Sequence, residues 1–193
     1  MKKGEAKIKD GFTLIEVSLV LGIAGLIFLM MMIALPALQR QERDTERRED
    51  IAWLVDVIKK YQSNNRGALP GSGDGEGPTT VQWSENMVGD VNTWAGFYRE
   101  HLGENFKDPN GENYRLYVME CNGSITDAAC TGDAQTVAAG LNNQKFPNDF
   151  TLNLVTQAKC AGDSDVGVVA SSNSRKMAIL YKLEGGGVYC ADL

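Results

Sequence analysis

The chain has 193 residues, 43% of them hydrophobic, and a formal net charge of −6. That length accommodates one modest domain plus an appendage. The acidic balance speaks against a nucleic-acid surface, and no specific nucleic-acid site is evident in the sequence.

The first eleven residues run against that balance. Lys2, Lys3, Lys7 and Lys9 oppose Glu5 and Asp10, a net of +2, and the remainder holds 15 basic and 23 acidic side chains, a net of −8. From Phe12 to Leu38 only Thr13, Glu16 and Ser18 are polar. As a helix this run would extend roughly 40 Å, more than the ~30 Å hydrocarbon core of a bilayer requires. A secretory signal would carry a shorter apolar core closed by an Ala-x-Ala site, and no such pattern precedes Pro36. Lysines ahead of a span hold that end in the cytoplasm. The sequence therefore predicts a leader at 1–11, a retained single-pass segment at 12–38 in the cytoplasmic membrane, and the bulk of the chain outside.

Residues 39–50, "QRQERDTERRED", mix charges on good helix formers. Arg40/Asp44 and Asp44/Arg48 at i,i+4, with Arg47/Asp50 at i,i+3, predict a solvated helical face, partly offset by Glu42/Glu46. Ile51, Leu54, Val55, Ile58 and Tyr61 then recur at helical spacing. Asn64, Asn65, Gly67 and Pro70 are stop signals. One helix is thus expected from Thr13 to Asn65, with residues 39–66 as its amphipathic half. Gly22, Gly25 and Pro36 are its expected weak or kinked positions. Its apolar stripe must be covered by residues 67–193.

Residues 71–77, "GSGDGEG", read as a loop and lack the Gly-Lys-Ser/Thr ending of a phosphate-binding loop. Trp83, Trp94, Phe97, Tyr98 and Phe106 predict core aromatics around a short helix. Beyond them the period becomes two. "NYRLYVME", "FTLNLVTQ", "VGVVA", "KMAILYKLE" and "GVYC" read as strands, with a turn at Gly185, Gly186 and Gly187. The fold class is α+β: a long N-terminal helix packed on a small antiparallel sheet.

No catalytic constellation stands out, and the chain is not expected to be an enzyme or to need a cofactor. His101, the single histidine, reads as a surface or loop residue. Asp108, Asn110 and Glu112 in "DPNGEN" could hold calcium through oxygen atoms. The competing reading is a tight turn set by Pro109 and Asn-Gly. Asn122-Gly-Ser124 matches a glycosylation sequon. The cysteines, Cys121, Cys130, Cys160 and Cys190, show no C-x-x-C pair and suit two disulfides in an extracytoplasmic domain, although buried free thiols would also fit. Of three possible pairings, Cys121–Cys130 as a local loop and Cys160–Cys190 as a C-terminal clasp are favoured.

"GFTLIEVSLVLGIAGLIFLM", preceded by a short basic leader, closely resembles the type IV pilin precursor signature. The resemblance implies cleavage after Gly11 by a prepilin peptidase and N-methylation of Phe12. It further implies polymerisation of residues 12–193 with other subunits by an assembly platform and ATPase. It assigns Glu16 to pairing with the Phe12 amine of a neighbouring subunit, and the Gly22 to Pro36 stretch to helix loosening in the filament. "DPNGENYRLY" looks like the Asp-Pro-x-Gly-x-x-Tyr element of type II secretion pseudopilins, with Asn110 where a tryptophan is usual. The expected product is a subunit of a pilus-like filament serving adhesion, motility, DNA uptake or secretion. A membrane-tethered extracytoplasmic binding domain also fits the span and the cysteines, but it needs neither Gly11 before Phe12 nor Glu16.

Overall fold

The computed structural model describes residues 12–71, 79–85, 87, 92–121, 150–161 and 168–193. One helix, α1 (Leu14–Asn64), runs unbroken through Gly22, Gly25 and Pro36. The chain divides into two compact units at Arg40/Gln41, so α1 contributes to both. Proline at 36 removes the bond to the carbonyl four residues back, at Met32, and the remaining turns of the helix carry that single loss.

Within the second unit, α1 buries Ile51, Leu54, Val55, Ile58 and Tyr61, the stripe that the spacing predicts. The helix ends where the stop signals stand. Arg66 and Gly67 take positive φ values of 58° and 85°, and the Gly67 amide bonds the Gln62 carbonyl at 2.7 Å, a Schellman-type closure.

Among the described residues seven strands follow: β1 (Thr79–Gln82), β2 (Arg115–Glu120), β3 (Thr151–Thr156), β4 (Ala158–Cys160), β5 (Val168–Ala170), β6 (Met177–Lys182) and β7 (Val188–Asp192). Between β1 and β2 lies a short helix, α2 (Trp94–Phe97), capped by the Thr93 hydroxyl and continued by a π-helical turn at Tyr98–Leu102. Five strands form one sheet in the order β1-β2-β3-β6-β7, while β4 and β5 pair separately.

The sheet departs from the expected all-antiparallel arrangement in one place: β2 and β3 pair in parallel. A parallel pair needs a crossover of a dozen or more residues. Residues 121–150, between these two strands, supply that length.

Alternation sorts the side chains onto two faces. Tyr114, Leu116, Val118, Leu152, Leu154, Ile179 and Tyr181 meet the α1 stripe and the aromatics Trp94, Phe97, Tyr98 and Phe106 in the main core. Met119, Val155, Ala178 and Leu180 point the other way, into a smaller cluster with Ala158, Val168 and Val188. Strand β6 is buried on both faces from Met177 to Tyr181, which suits its position inside the sheet. A disulfide joins Cys160 on β4 to Cys190 on β7, with S–S 2.00 Å. Cys130 and the Asn122 sequon lie outside the described residues, so the Cys121–Cys130 pairing does too.

Candidate functional site

Two places carry unusual chemistry. The first is the start of α1. Every large apolar side chain from Phe12 to Leu38 is exposed in the single chain, Phe12 and Leu14 at 88% each. So large an apolar surface is a site for a membrane or for other chains. Among the described residues, α1 is the helix long and apolar enough to cross a membrane. A bearing of this kind, leading into a head with a disulfide, is a pilin-like layout.

Glu16 is the one charged side chain in this run. Its Oε2 accepts from the Thr13 backbone N–H at 3.0 Å and from the Thr13 hydroxyl at 2.9 Å. The Glu16 N–H in turn reaches the Thr13 hydroxyl at 3.4 Å. This reciprocal Thr-x-x-Glu box satisfies donors that a helix start leaves open. Both carboxylate contacts use Oε2. Gly11 falls outside the described residues, while a Cβ added at Gly22 or Gly25 meets only open space.

The second place is a buried ion cluster in the head. Arg47 is fully buried, an exception within residues 39–50, most of which are exposed as the sequence predicts. Its Nε and Nη2 clamp the Asp108 carboxylate at 2.6 and 3.2 Å, Nη2 also reaches Glu184 Oε1 at 2.7 Å, and Nη1 reaches Asp44 Oδ1 at 3.1 Å. The ring of Tyr181 lies beside the guanidinium at 5.7 Å. Arg43 makes a second contact to Glu184 at 2.7 Å. Asp44, expected to pair with Arg40 and Arg48, instead accepts the backbone N–H groups of Glu184 and Gly185 at 2.9 and 2.8 Å. A Cβ at Gly185 would sit 3.1 Å from Asp44 Oδ2, a tight approach to which that carboxylate would have to yield by a few tenths of an ångström.

Asp108 is buried, and its oxygens already accept from Arg47, from the Tyr181 hydroxyl at 3.2 Å and from the Asn110 N–H at 2.9 Å. Asn110 and Glu112 are exposed on the turn. Gly111 takes a φ of 90° and its amide bonds the Asp108 carbonyl at 2.7 Å. "DPNG" is therefore a tight turn whose acid faces inward to an arginine. With Asp108 paired to the Arg47 guanidinium, the turn reading accounts for these residues.

The surroundings shift the titrations in line with these contacts. Burial works to lower the Arg47 pKa, but the hydrogen bonds that it donates to Asp108 and Glu184 outweigh it and hold the group firmly charged. The Arg43 hydrogen bond, aided by Arg47, holds the Glu184 carboxyl down at about 2. Asp50, which accepts the Tyr114 hydroxyl at 2.9 Å, is pushed up by burial. Burial also raises Tyr98, whose hydroxyl donates to the Tyr114 carbonyl at 2.8 Å.

Sequence reasoning offered the Asp108 turn but missed Arg47, Asp44 and Glu184 as one unit. The partners lie 61 and 137 residues from Arg47, and no local spacing announces them. His101 is exposed, with its ring against Tyr61 and Phe97 at 5.7 and 5.2 Å. Comparisons with protein-family models, with curated proteins and with solved structures found no match.

Proposed function

We propose that the chain is a structural subunit of a type IV pilus-like filament, inserted in the membrane as a precursor and polymerised through the first half of α1. The observation that carries this reading is an apolar helix exposed all round from Phe12 to Leu38, interrupted by a single carboxylate at its start. An unpaired charge buried among apolar helices is costly. Cleavage after Gly11 would create a cation on Phe12, since an α-amino group has a pKa near 8. The amine of an incoming subunit would then neutralise Glu16 of its neighbour through Oε1, which the Thr13 box leaves aside. Prepilin peptidase, the assembly platform and its ATPase are the partners this requires.

A membrane-tethered head is the second reading, and the Thr13–Glu16 box favours it by accounting for Glu16 without any neighbour. Mass spectrometry of the mature protein separates the two. An N-methylated Phe12 at the terminus is the expected result, and an intact Met1 favours the tether. Glu16→Ala is expected to insert and be processed, yet to enter filaments poorly. Normal filament yield from that variant would leave the capping box as the whole role of Glu16.

A further inference from the structure

Beyond Leu38, one large apolar side chain is exposed among the described residues: Trp53, at 44%. It belongs to a row on α1, Glu42, Glu46, Glu49, Trp53, Asp56 and Lys60, exposed throughout. Steps alternating between four and three residues keep the row on one face of the helix, opposite the stripe that Ile51, Leu54 and Ile58 bury in the head. Glu42, Glu46, Glu49 and Asp56 make no ion pair among the described residues. The Trp53 ring is backed by the buried Phe106, with centroids 5.5 Å apart, so an aromatic is held in place on an acidic surface.

Charge reverses where the row ends. Lys59, Lys60 and Arg66 close the helix, and from Val57 to Gly71 the chain has no acid. The fold adds Arg175 from the turn before β6. Its guanidinium carbon lies 2.9 Å from where a Gly67 Cβ would stand, and its carbonyl accepts from Gln62 Nε2 at 2.9 Å. All four cations are exposed, and none pairs with a carboxylate among the described residues. An acidic head thus carries a basic tip.

We propose that the acidic row docks the basic tip of a second copy of this chain, displaced along α1 by ~20 Å, the helix length from Trp53 to Arg66. Parallel copies standing level would set carboxylates against carboxylates. The displacement instead brings Lys59 and Lys60 to Glu46 and Glu49, and Arg66 to Trp53. Charge complementarity selects this partner, and a guanidinium over an indole face adds a cation–π contact. The two surfaces differ, so each copy can dock the next, and such contacts build an open filament. The displacement rests on the proposed filament, since copies anchored in one membrane stand level.

The test is zero-length carbodiimide cross-linking of the full chain in the envelope of cells that carry it, read by mass spectrometry of its peptides. Within one helix Glu46 and Glu49 lie ~15–21 Å from Lys59 and Lys60, so an amide between these groups joins two copies. Such links are expected, and about 1 M salt should suppress them. Arg66→Glu with Arg175→Glu leaves the linking residues in place and should lower their yield about tenfold, while Asp56→Arg added to that pair should restore it. Trp53→Ala should lower the yield as well. No links, or links that the Arg66 and Arg175 reversals leave unchanged, overturn the docking. The mature terminus in the same digest separates the two failures. Methylated Phe12 without links ends the docking alone, and intact Met1 without links ends the filament with it.

Discussion

The two stretches of α1 are one helix under two sets of rules. From Leu14 to Leu38, large apolar side chains are exposed on all sides and the single charge, Glu16, is satisfied by its own first turn. From Gln41 onward the apolar residues narrow to one stripe, and the charges beside it include a fully buried arginine. Backbone geometry does not distinguish the stretches; what each surface requires does. The first is exposed within the single chain, so its substitutions should leave the stability of the head alone. The second is completed by the fold, so its substitutions register in the stability of the head.

The largest test of that difference is Arg47→Ala against Arg40→Ala. Removing one partner of a buried pair strands the other, at about 3–5 kcal/mol. Asp108 would be left buried with only Tyr181 and the Asn110 amide as donors. Arg40 is exposed, and its loss should change head stability by no more than ~0.5 kcal/mol. Urea unfolding of the full chain in micelles, followed by tryptophan fluorescence, measures both. Similar small losses for the two variants would erase the distinction drawn at residue 41.

Next in size is Leu54→Ala, expected to cost about 2–5 kcal/mol because Leu54 is fully buried in the main core. Leu21→Ala should leave the head's urea midpoint unmoved, since Leu21 contacts no part of that core. A shift of the midpoint in Leu21→Ala would show that the first stretch supports the head after all.

Removing the Cys160–Cys190 bridge by a double Cys→Ala change should cost about 2–4 kcal/mol, for a loop of 30 residues. Cys160 also holds its register through its amide, which donates to Asp192 Oδ1 at 2.6 Å. The double variant should therefore expose β4 and β7 to hydrogen exchange before β2 and β3. Uniform loss of protection across all strands would mean the bridge is no more than one part of a single cooperative unit.

Much of this was readable from residues alone. The stripe from Ile51 to Tyr61 follows the 3.6-residue period, and the strands around Leu116, Leu152 and Ile179 follow the period of two, because each buries one face. The helix end at Asn64 was marked by residues that tolerate positive φ. The parallel pairing of β2 with β3 was not readable, since topology depends on where a 30-residue crossover returns and not on either strand. The ion cluster was hidden for a related reason. "RDTERRED" looks the same whether its arginines face water or Asp108, and only the folded turn brings that acid to Arg47.

The smallest expected effect concerns pH, and it again belongs to the second stretch alone. Glu184 titrates at about 2 in the fold against an ordinary 4.5, held down first by Arg43 and then by Arg47. A depressed carboxyl contributes stability that is complete above its unfolded pKa and is lost as pH falls toward the folded value. The loss should therefore develop between about pH 4.5 and pH 2. Asp50 works in the opposite direction. Burial raises its pKa above the ordinary 3.8, so the folded state takes up that proton first and gains stability as it does. Because the Glu184 side chain is 25% exposed, solvent screens its contacts, and the effect should stay below about 1 kcal/mol. Thermal melts of the full chain in micelles, for wild type and Glu184→Gln across this range, measure it. The wild type should melt higher at neutral pH, and the gap should close as pH approaches 2. A gap that stays constant with pH would mean that Glu184 holds the turn through its shape and not through its charge.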